Sequence, residues 1–203
     1  MCQFPLFETL AVRDGQFQNL LYHQQRVNYA FQHFFKAECH LDLAKIIVPD
    51  EFKSGFFRCR IDYSATDFNI GFYSYLPRRI TRFQLVYTEN LDYQFKYTDR
   101  KRFDFSKNLQ IDNADEVIII NNGFVSDCTI GNLLFYRNGK WFSPQHYLLK
   151  GTQLSYLLDQ KFVELLPICA DDLFSFEQIM VINALNPFDP TRAIPISPSS
   201  ILR

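Results

Sequence analysis

The sequence lacks most of the features by which a protein class is recognised at once. Its 203 residues contain only seven Gly and one Trp, and neither charge is in excess, because 21 Lys and Arg stand against 22 Asp and Glu. Scarce glycine excludes collagen and flexible linkers. The net charge of −1 argues against nucleic-acid and anionic-membrane partners, since their binding energy requires an excess of positive charge.

Paired cysteines, clustered histidines and long apolar runs are absent as well. The five Cys are scattered with no CxxC spacing, and the four His show no ligand spacing. We therefore expect reduced thiols, structural histidines and no metal site. The N-terminal residues do not have the pattern of a signal peptide, and no apolar run approaches the ~20 residues of a membrane helix. These absences predict a soluble cytoplasmic protein.

Apolar and aromatic residues are abundant, at 47% and 17% of the sequence, which is the composition of a packed globular protein. In the first half, Asp14-Gly15 predicts a type I′ hairpin because both central residues of that turn need positive φ. Apolar residues at helical spacing predict a helix over 21–37. The other elements predicted in this half are a short helix over 40–47 and strands over 56–63, 69–75 and 82–87.

The second half is predicted to be rich in strands. Asn138-Gly139 marks another hairpin, and a helix over 152–160 follows a Gly, with Thr152 suited to its N-cap. The remaining predictions are a helix over 104–112, strands over 116–120, 133–137, 140–143, 164–168 and 178–182, and an irregular or edge segment after 186. Because strands outnumber helices and hairpins join them, we predict an α+β fold in two lobes, a small one over 1–90 and a larger β-rich one over 91–203.

Motifs for nucleotide and hydrolase chemistry are missing, since the sequence has no Walker loop, no GxGxxG and no GxSxG. Two basic groups stand out, Arg78-Arg79-Arg82 and the Lys and Arg residues over 96–102. The near-zero net charge favours a solvated face for both groups over a site for a phosphate polymer. A single small phosphate stays open as a ligand, because one Arg and one helix N-terminus can hold it.

Four sets of residues, in chain order, carry the strongest functional signal. They are Phe7-Glu8-Thr9-Leu10 with His23-Gln24-Gln25-Arg26; Lys96-Tyr97-Thr98-Asp99-Arg100; Asp115-Glu116 with the run from Gly123-Phe124-Val125 to Asn132-Leu133-Leu134-Phe135; and Leu149-Lys150-Gly151-Thr152 with Asn183-Ala184-Leu185-Asn186-Pro187. The first three resemble the FET strand with its HxxR helix, the cofactor-lysine segment and the GxVxExTxxNxF stretch of the class IV (fold-type IV) pyridoxal-phosphate enzymes. That family includes branched-chain and D-amino acid aminotransferases and aminodeoxychorismate lyase. The resemblance covers nearly the whole chain and implies the two-lobed fold of that family.

This resemblance implies pyridoxal 5′-phosphate as cofactor and a role for each matched residue. Lys96 would bond to the cofactor aldehyde and then act as general base and acid. Arg26 would bind the cofactor phosphate, and Asp127 would pair with the pyridine nitrogen. Phosphate contacts are also implied for residues in the fourth set: Gly151, Thr152, Gln153, Asn183 and Ala184. Without the resemblance, Lys96 and Arg26 would be interpreted as solvated cations and Asp127 as a turn residue.

Three departures from the family pattern bear on activity. Asp127 stands where the family has a Glu and is one methylene shorter. Leu154 stands where many relatives have an Arg. The FET strand begins at residue 7, whereas the family usually carries a further strand and a glycine-containing loop before it, so we expect one wall of the active site to be trimmed.

The Asn183-Ala184-Leu185-Asn186-Pro187 segment looks most like that of the lyases. It implies that pyruvate is eliminated from a small substrate with an amino group, leaving 4-aminobenzoate for folate synthesis. Two alternatives stay open. One is an amino-acid aminotransferase of the branched-chain or D-amino acid type, and the other is a non-catalytic member that kept the fold. The resemblance also implies a homodimer.

Overall fold

The computed structural model describes residues 3–103 and 114–202. The helix predicted over 104–112 lies outside these residues. The chain forms two compact units, one built from the segment up to Pro77 together with Phe95–Arg100, the other from Arg78–Gln94 and the chain after Arg100. Within the described residues, no helix is both long and apolar enough to cross a membrane.

The division of the chain differs from the predicted one, because Lys96 was expected in the second lobe and belongs to the first unit. Backbone pairing with the N-terminal strand explains the difference. The N–H of Phe7 donates to the carbonyl of Lys96 at 3.0 Å, and the N–H of Thr98 donates to the carbonyl of Pro5 at 2.8 Å. Such long-range pairing leaves no local mark in a sequence.

The first unit is a four-stranded antiparallel sheet covered on one face by a helix. The strands are β1 (Leu6–Arg13), β2 (Gln16–Phe17), β3 (Phe56–Tyr63) and β4 (Phe68–Ser74), in the order β2-β1-β3-β4. The helix α1 (Leu20–Ala30) continues as one π-helical segment, Phe31–Phe35. The predicted hairpin at Asp14-Gly15 is confirmed, with φ of 48° and 77° at the two residues.

The second helix predicted in this unit is wrong, since 40–47 contains only a 3₁₀ turn, Leu43–Lys45. The side chain of Gln24 is the cause. Its amide nitrogen donates to the Leu41 carbonyl at 2.9 Å, and its amide oxygen accepts from the Leu43 N–H at 2.8 Å. These bonds hold the backbone in an extended path along which Leu41 and Leu43 are buried one after the other.

The second unit contains two sheets and one further described helix, α2 (Thr152–Asp159). One sheet has the order β13-β5-β6-β7, from β5 (Phe83–Thr88), β6 (Glu116–Asn121), β7 (Phe124–Val125) and β13 (Ile201–Leu202). The other has the order β10-β9-β8-β11-β12, from β8 (Asn132–Arg137), β9 (Lys140–Pro144), β10 (Val163–Leu166), β11 (Gln178–Ile182) and β12 (Ile194–Pro195). The tail thus supplies two short edge strands, as predicted for the segment after 186.

Alternation along β8 shows where the core of this unit lies. Leu133 and Phe135 pack in a cluster with Ile118 of β6, whereas Leu134 points to the opposite face and packs with Leu154 and Leu157 of α2. Because successive side chains of a strand face opposite sides, the five-stranded sheet is buried on both faces. The loops that precede β8 and α2 are therefore attached to rigid elements.

Candidate functional site

A buried carboxylate on β1 organises the polar residues of the first unit. Glu8 is 0% exposed. Its Oε1 accepts from Arg26 Nε at 2.8 Å and its Oε2 from Arg26 Nη2 at 2.7 Å, and Oε2 also lies 2.7 Å from His23 Nδ1. His23 and Arg26 are three residues apart on α1, so both project from one helix face towards β1. One carboxylate thereby holds two side chains of the HxxR segment.

The charge states in this cluster follow from burial and from the partners. Burial alone raises the pKa of Glu8, but the charge of Arg26 and the hydrogen bonds from His23 and Arg26 outweigh it and lower the pKa to about 2. Burial lowers the pKa of His23 in spite of its contact with Glu8. Since an ionised Glu8 can only accept, the neutral imidazole of His23 carries its proton on Nδ1.

The predicted catalytic lysine lies in the same unit, against the ring of Phe7. The Nζ of Lys96 is 4.7 Å from the centroid of the Phe7 ring, and the guanidinium carbon of Arg60 is 4.1 Å from that ring centroid. Burial, followed by the charge of Arg26, lowers the pKa of Lys96 to about 7, although Glu8 opposes this shift. At neutral pH a large fraction of this amine is unprotonated and nucleophilic.

Acid should weaken the first unit through Glu8. The pKa of Glu8 is about 2 against an ordinary 4.5, so the unfolded chain binds this proton first as the pH falls. The Glu8 contribution to stability is therefore complete above pH 4.5, is lost towards pH 2, and amounts to about 3 kcal/mol. We expect urea denaturation between pH 5 and pH 2 to give a steeper loss of unfolding free energy for wild type than for Glu8→Gln.

The control for this acid titration is Glu51→Gln, which changes an exposed carboxylate of the same unit. It should keep the wild-type slope. A Glu8→Gln variant whose unfolding free energy falls as steeply as that of wild type would contradict the buried ion pair.

Asp127 is the buried carboxylate of the second unit. It is 5% exposed, and its Oδ1 accepts from Asn132 Nδ2 at 2.7 Å. Its Oδ2 accepts from the N–H groups of Leu148 and Leu149 at 2.9 and 3.0 Å. Burial raises the pKa of Asp127 to about 7 although these three bonds favour the charged form. A cationic donor placed against this carboxyl would be strongly attracted.

Asn132 connects Asp127 to the start of α2, a role that the sequence analysis did not assign. Its Nδ2 donates to the Leu149 carbonyl at 2.9 Å as well as to Asp127. Its Oδ1 accepts from the N–H of Gly151 at 3.0 Å. The available signal was the spacing of Asp127 and Asn132, which matches that of the Glu and Asn in the GxVxExTxxNxF stretch. The amide orients the carboxyl and the helix start together.

The start of α2 has the chemistry of an anion site. The helix begins at Thr152 and its N-cap is Gly151, so the prediction of Thr152 as the cap is wrong. Gly151 is required because a Cβ there would overlap Asn132 Oδ1. The N–H of Gly151 is used by Asn132, and the N–H groups of Thr152 and Gln153 lie in the first turn, at the positive end of the helix. Leu154 is buried in the apolar cluster under α2.

The predicted phosphate residues Asn183 and Ala184 lie in a tight turn after β11. The N–H of Asn183 donates to the Asn186 carbonyl at 3.0 Å, and its Oδ1 accepts from the N–H of Leu185 at 2.9 Å. Its Nδ2 donates to the Ile130 carbonyl at 3.1 Å. The side chain of Asn183 thus ties this turn to the loop before β8, and the amide of Ala184 is not used by these bonds.

The structure therefore assembles the predicted residues into two sets. Arg26 is bound by Glu8 in the first unit, which also contains Lys96, and Asp127, the start of α2 and the Asn183 turn are linked by hydrogen bonds in the second. Glu8 and His23 were quoted in the FET and HxxR segments without a role, yet a Glu among the apolar core-facing residues of β1 was a signal. Among residues 3–103 and 114–202, no group of three or more His, Cys, Asp and Glu side chains is arranged to hold a metal ion.

These donors fit a phosphorylated aldehyde cofactor. A partly exposed primary amine, Lys96, is available as nucleophile. A guanidinium and the amides at the start of α2 suit a phosphate, and a buried carboxyl suits a protonated ring nitrogen. The glycine at position 151 keeps the helix start open, since a side chain there would fill the space against Asn132.

Comparison with known proteins finds one matching family and several similar chains. The family described as amino-transferase class IV matches residues 5–194. A solved structure from Haemophilus somnus, of a candidate 4-amino-4-deoxychorismate lyase, is 39% identical, covers 93% of this chain and 100% of its own, and superposes with a TM-score of 0.84. An uncharacterized protein of Haemophilus influenzae is 36% identical over 186 residues, which are 90% of this chain and 98% of that protein.

A more distant structure has the same fold. A candidate amino-acid aminotransferase from Mesorhizobium loti is 22% identical, covers 98% of this chain and 100% of its own, and has a TM-score of 0.77. At this identity the likeness concerns the architecture alone. The α+β, two-lobed fold-type IV architecture predicted from the sequence is thereby confirmed.

Proposed function

The chain belongs to the class IV aminotransferase family, and from this premise we propose that it is a pyridoxal-phosphate-dependent lyase. Its substrate would be 4-amino-4-deoxychorismate, from which it eliminates pyruvate to give 4-aminobenzoate. The observation that carries the cofactor assignment is Lys96, a partly buried amine against the Phe7 ring with a pKa of about 7. The choice of lyase is supported by the 39% identity to the Haemophilus somnus protein and by the Asn183-Ala184-Leu185-Asn186-Pro187 segment.

The proposal gives each residue matched to the family motifs a role in cofactor binding. Lys96 would bond to the cofactor aldehyde, and Arg26 would contact the phosphate. Asp127 would accept a hydrogen bond from the ring nitrogen. The amides of Thr152, Gln153 and Ala184 would contact the phosphate, while Gly151 and Asn183 shape the turns that present them.

When bound, pyridoxal phosphate supplies an electron sink for the negative charge that develops at the substrate α-carbon. Lys96 removes the proton from that carbon, a task for which its amine is suited because its pKa of about 7 lies near neutral pH. The buried Asp127 would supply the negative charge that a protonated ring nitrogen needs, since an adjacent cation favours the ionised form of the carboxyl, and its three internal donors fix its orientation. Arg26, held by Glu8, fixes the phosphate end.

An amino-acid aminotransferase is the second candidate, because its first steps are the same and it differs in where the substrate carbanion is next protonated. The fold shared with the Mesorhizobium loti protein is compatible with either reaction. The family resemblance further leads us to propose a homodimer acting on a small amine substrate.

Product analysis separates these reactions. Protein saturated with pyridoxal phosphate is incubated with 4-amino-4-deoxychorismate, and in parallel with pairs of amino and keto acids. We expect equal amounts of 4-aminobenzoate and pyruvate from the first incubation and no amino transfer in the second. Amino transfer without 4-aminobenzoate would assign the chain to the aminotransferases. If cofactor-loaded protein forms neither product, the result would support the non-catalytic alternative.

A further inference from the structure

We propose that Glu8 and His23 are positioning residues of this site, which hold the Arg26 guanidinium in one orientation for the cofactor phosphate. The inference deepens the proposed function and rests on it. Neither residue touches the reacting atoms in this assignment. Both act through Arg26.

The first argument is the geometry of the Glu8–Arg26 pair. Glu8 binds the guanidinium side-on, through Nε at 2.8 Å and Nη2 at 2.7 Å. The guanidinium is planar and rigid, so two bonds on one edge fix the direction of the other edge, which carries Nη1. Arg26 is 14% exposed, which is enough for a ligand to reach one side of it. An arginine without such a partner would have to be ordered at the moment of binding, at a cost in side-chain entropy.

The second argument is that stability alone does not require this carboxylate. The core-facing positions of β1 are otherwise apolar, with Leu6, Leu10 and Val12 fully buried. Two charges taken out of water lose much hydration free energy, and an apolar pair of similar volume is often as stable. A polar residue that breaks the local pattern in this way is expected mainly at functional sites.

His23 completes the arrangement from the helix side. Its Nδ1–H donates to the oxygen of Glu8 that also accepts from Arg26 Nη2. The ring is 0% exposed and neutral, so it fixes the carboxylate without adding a charge to the cluster. His23 therefore restricts the rotation of Glu8, which in turn fixes Arg26.

Glu8 also acts on Lys96 through its charge, which gives the experiment a second readout. Glu8 from β1 attracts the proton of Lys96, whereas Arg26 from α1, Arg60 from β3 and Arg100 from its own segment repel it. Glu8 thus opposes the effect of these three arginines on Lys96. Its removal should lower the proton affinity of Lys96, and removal of the Arg26 charge should raise it.

The experiment compares wild type with Glu8→Gln, Glu8→Asp and His23→Phe. Affinities for pyridoxal phosphate and for pyridoxal, which lacks the phosphate, are measured by fluorescence titration. The affinity for pyridoxal phosphate divided by the affinity for pyridoxal, called the affinity ratio, reports the phosphate contact. In the cofactor-free protein, the pKa of Lys96 is measured by NMR after reductive ¹³C-methylation. The control Asp50→Asn removes one negative charge from an exposed ion pair of the same unit and should change neither readout.

We expect Glu8→Gln to reduce the affinity ratio about tenfold, the loss of roughly one charge-assisted contact, and to lower the pKa of Lys96. Glu8→Asp keeps the negative charge but shortens the side chain by one methylene. It should reduce the ratio while leaving the pKa of Lys96 close to that of wild type. His23→Phe should reduce the ratio by a smaller factor, and thermal unfolding confirms that each variant is folded.

An unchanged ratio and an unchanged pKa of Lys96 in a folded Glu8→Gln variant would overturn the proposal and leave Glu8 a merely structural residue. Failure of the proposed function is seen separately, because wild type would then bind neither pyridoxal phosphate nor pyridoxal. The pKa readout needs no cofactor. If Glu8→Gln does not fold, Glu8→Asp and His23→Phe still decide the positioning role through the ratio.

Discussion

Replacing Lys96 by alanine should abolish the visible absorbance of protein mixed with pyridoxal phosphate and reduce turnover by roughly a thousandfold or more. Lys96 provides the amine that bonds to the cofactor aldehyde and the base that takes the substrate proton, so one substitution removes both. Its side chain is not part of the apolar cluster of the first unit, and the variant should fold. Absorbance spectra, followed by borohydride reduction and peptide mass spectrometry, measure the attachment directly.

Lys101→Ala is the matched control, since Lys101 is an exposed lysine five positions further along the chain. It should keep the absorbance and the turnover of wild type. Reduction of the wild-type complex should place the cofactor on the peptide containing Lys96. A label on another lysine, or a coloured Lys96→Ala variant, would refute the assignment of Lys96.

The second large effect is expected at Asp127. All three groups that contact its carboxyl are donors, from Asn132, Leu148 and Leu149, so the amide nitrogen of Asp127→Asn would face a donor. We expect the free energy of unfolding to fall by about 1–3 kcal/mol. Turnover of the folded, cofactor-loaded variant should fall by about two orders of magnitude, or about 2.7 kcal/mol of transition-state stabilisation, because no charge then holds the proton on the ring nitrogen.

Asp115→Asn makes the same chemical change in the same unit and serves as the control. The Asp115 carboxylate also accepts several bonds, from Thr81 and from the Arg82 N–H, but it is exposed. Its loss should affect stability while leaving turnover intact. Asp127→Asn with wild-type turnover at saturating cofactor would show that the carboxyl of Asp127 serves only to hold the loop at Leu148.

Several parts of the fold could be predicted because their causes are local. Asn138-Gly139 has φ of 51° and 79°, a conformation that few other residue pairs adopt. The aromatic and β-branched content of 56–63 located β3, the Asn138-Gly139 turn located β8, and the helical spacing after residue 20 located α1. The helix over 40–47 was wrong because the decisive contacts come from Gln24, which is distant in sequence and has no influence on local propensity.

The candidate site likewise has residues that the sequence predicts and contacts that it does not. Motif resemblance selected Lys96, Arg26 and Asp127, but no spacing in the sequence connects Arg26 to Glu8 or Gly151 to Asn132. The contact of Arg26 with Glu8 depends on how α1 packs on β1. The contact of Gly151 with Asn132 depends on the loops that precede β8 and α2 in the second unit. Glu8, His23 and Asn132 acquire roles only when their side-chain atoms are placed within 2.7–3.0 Å of their partners.

The sequence by itself determined the hairpins, the main strands and helices, the family and the identity of the chemical groups, because turn conformation, hydrophobic period and side-chain chemistry are properties of short segments. Only the tertiary structure decided that Lys96 pairs with β1 and lies against the Phe7 ring, that Glu8 holds Arg26, and that Asn132 orients Asp127. Proton affinity and side-chain orientation depend on burial and on charges brought together from distant positions. The balanced composition therefore gives no sign of the local imbalance of charge from which the proposed chemistry follows.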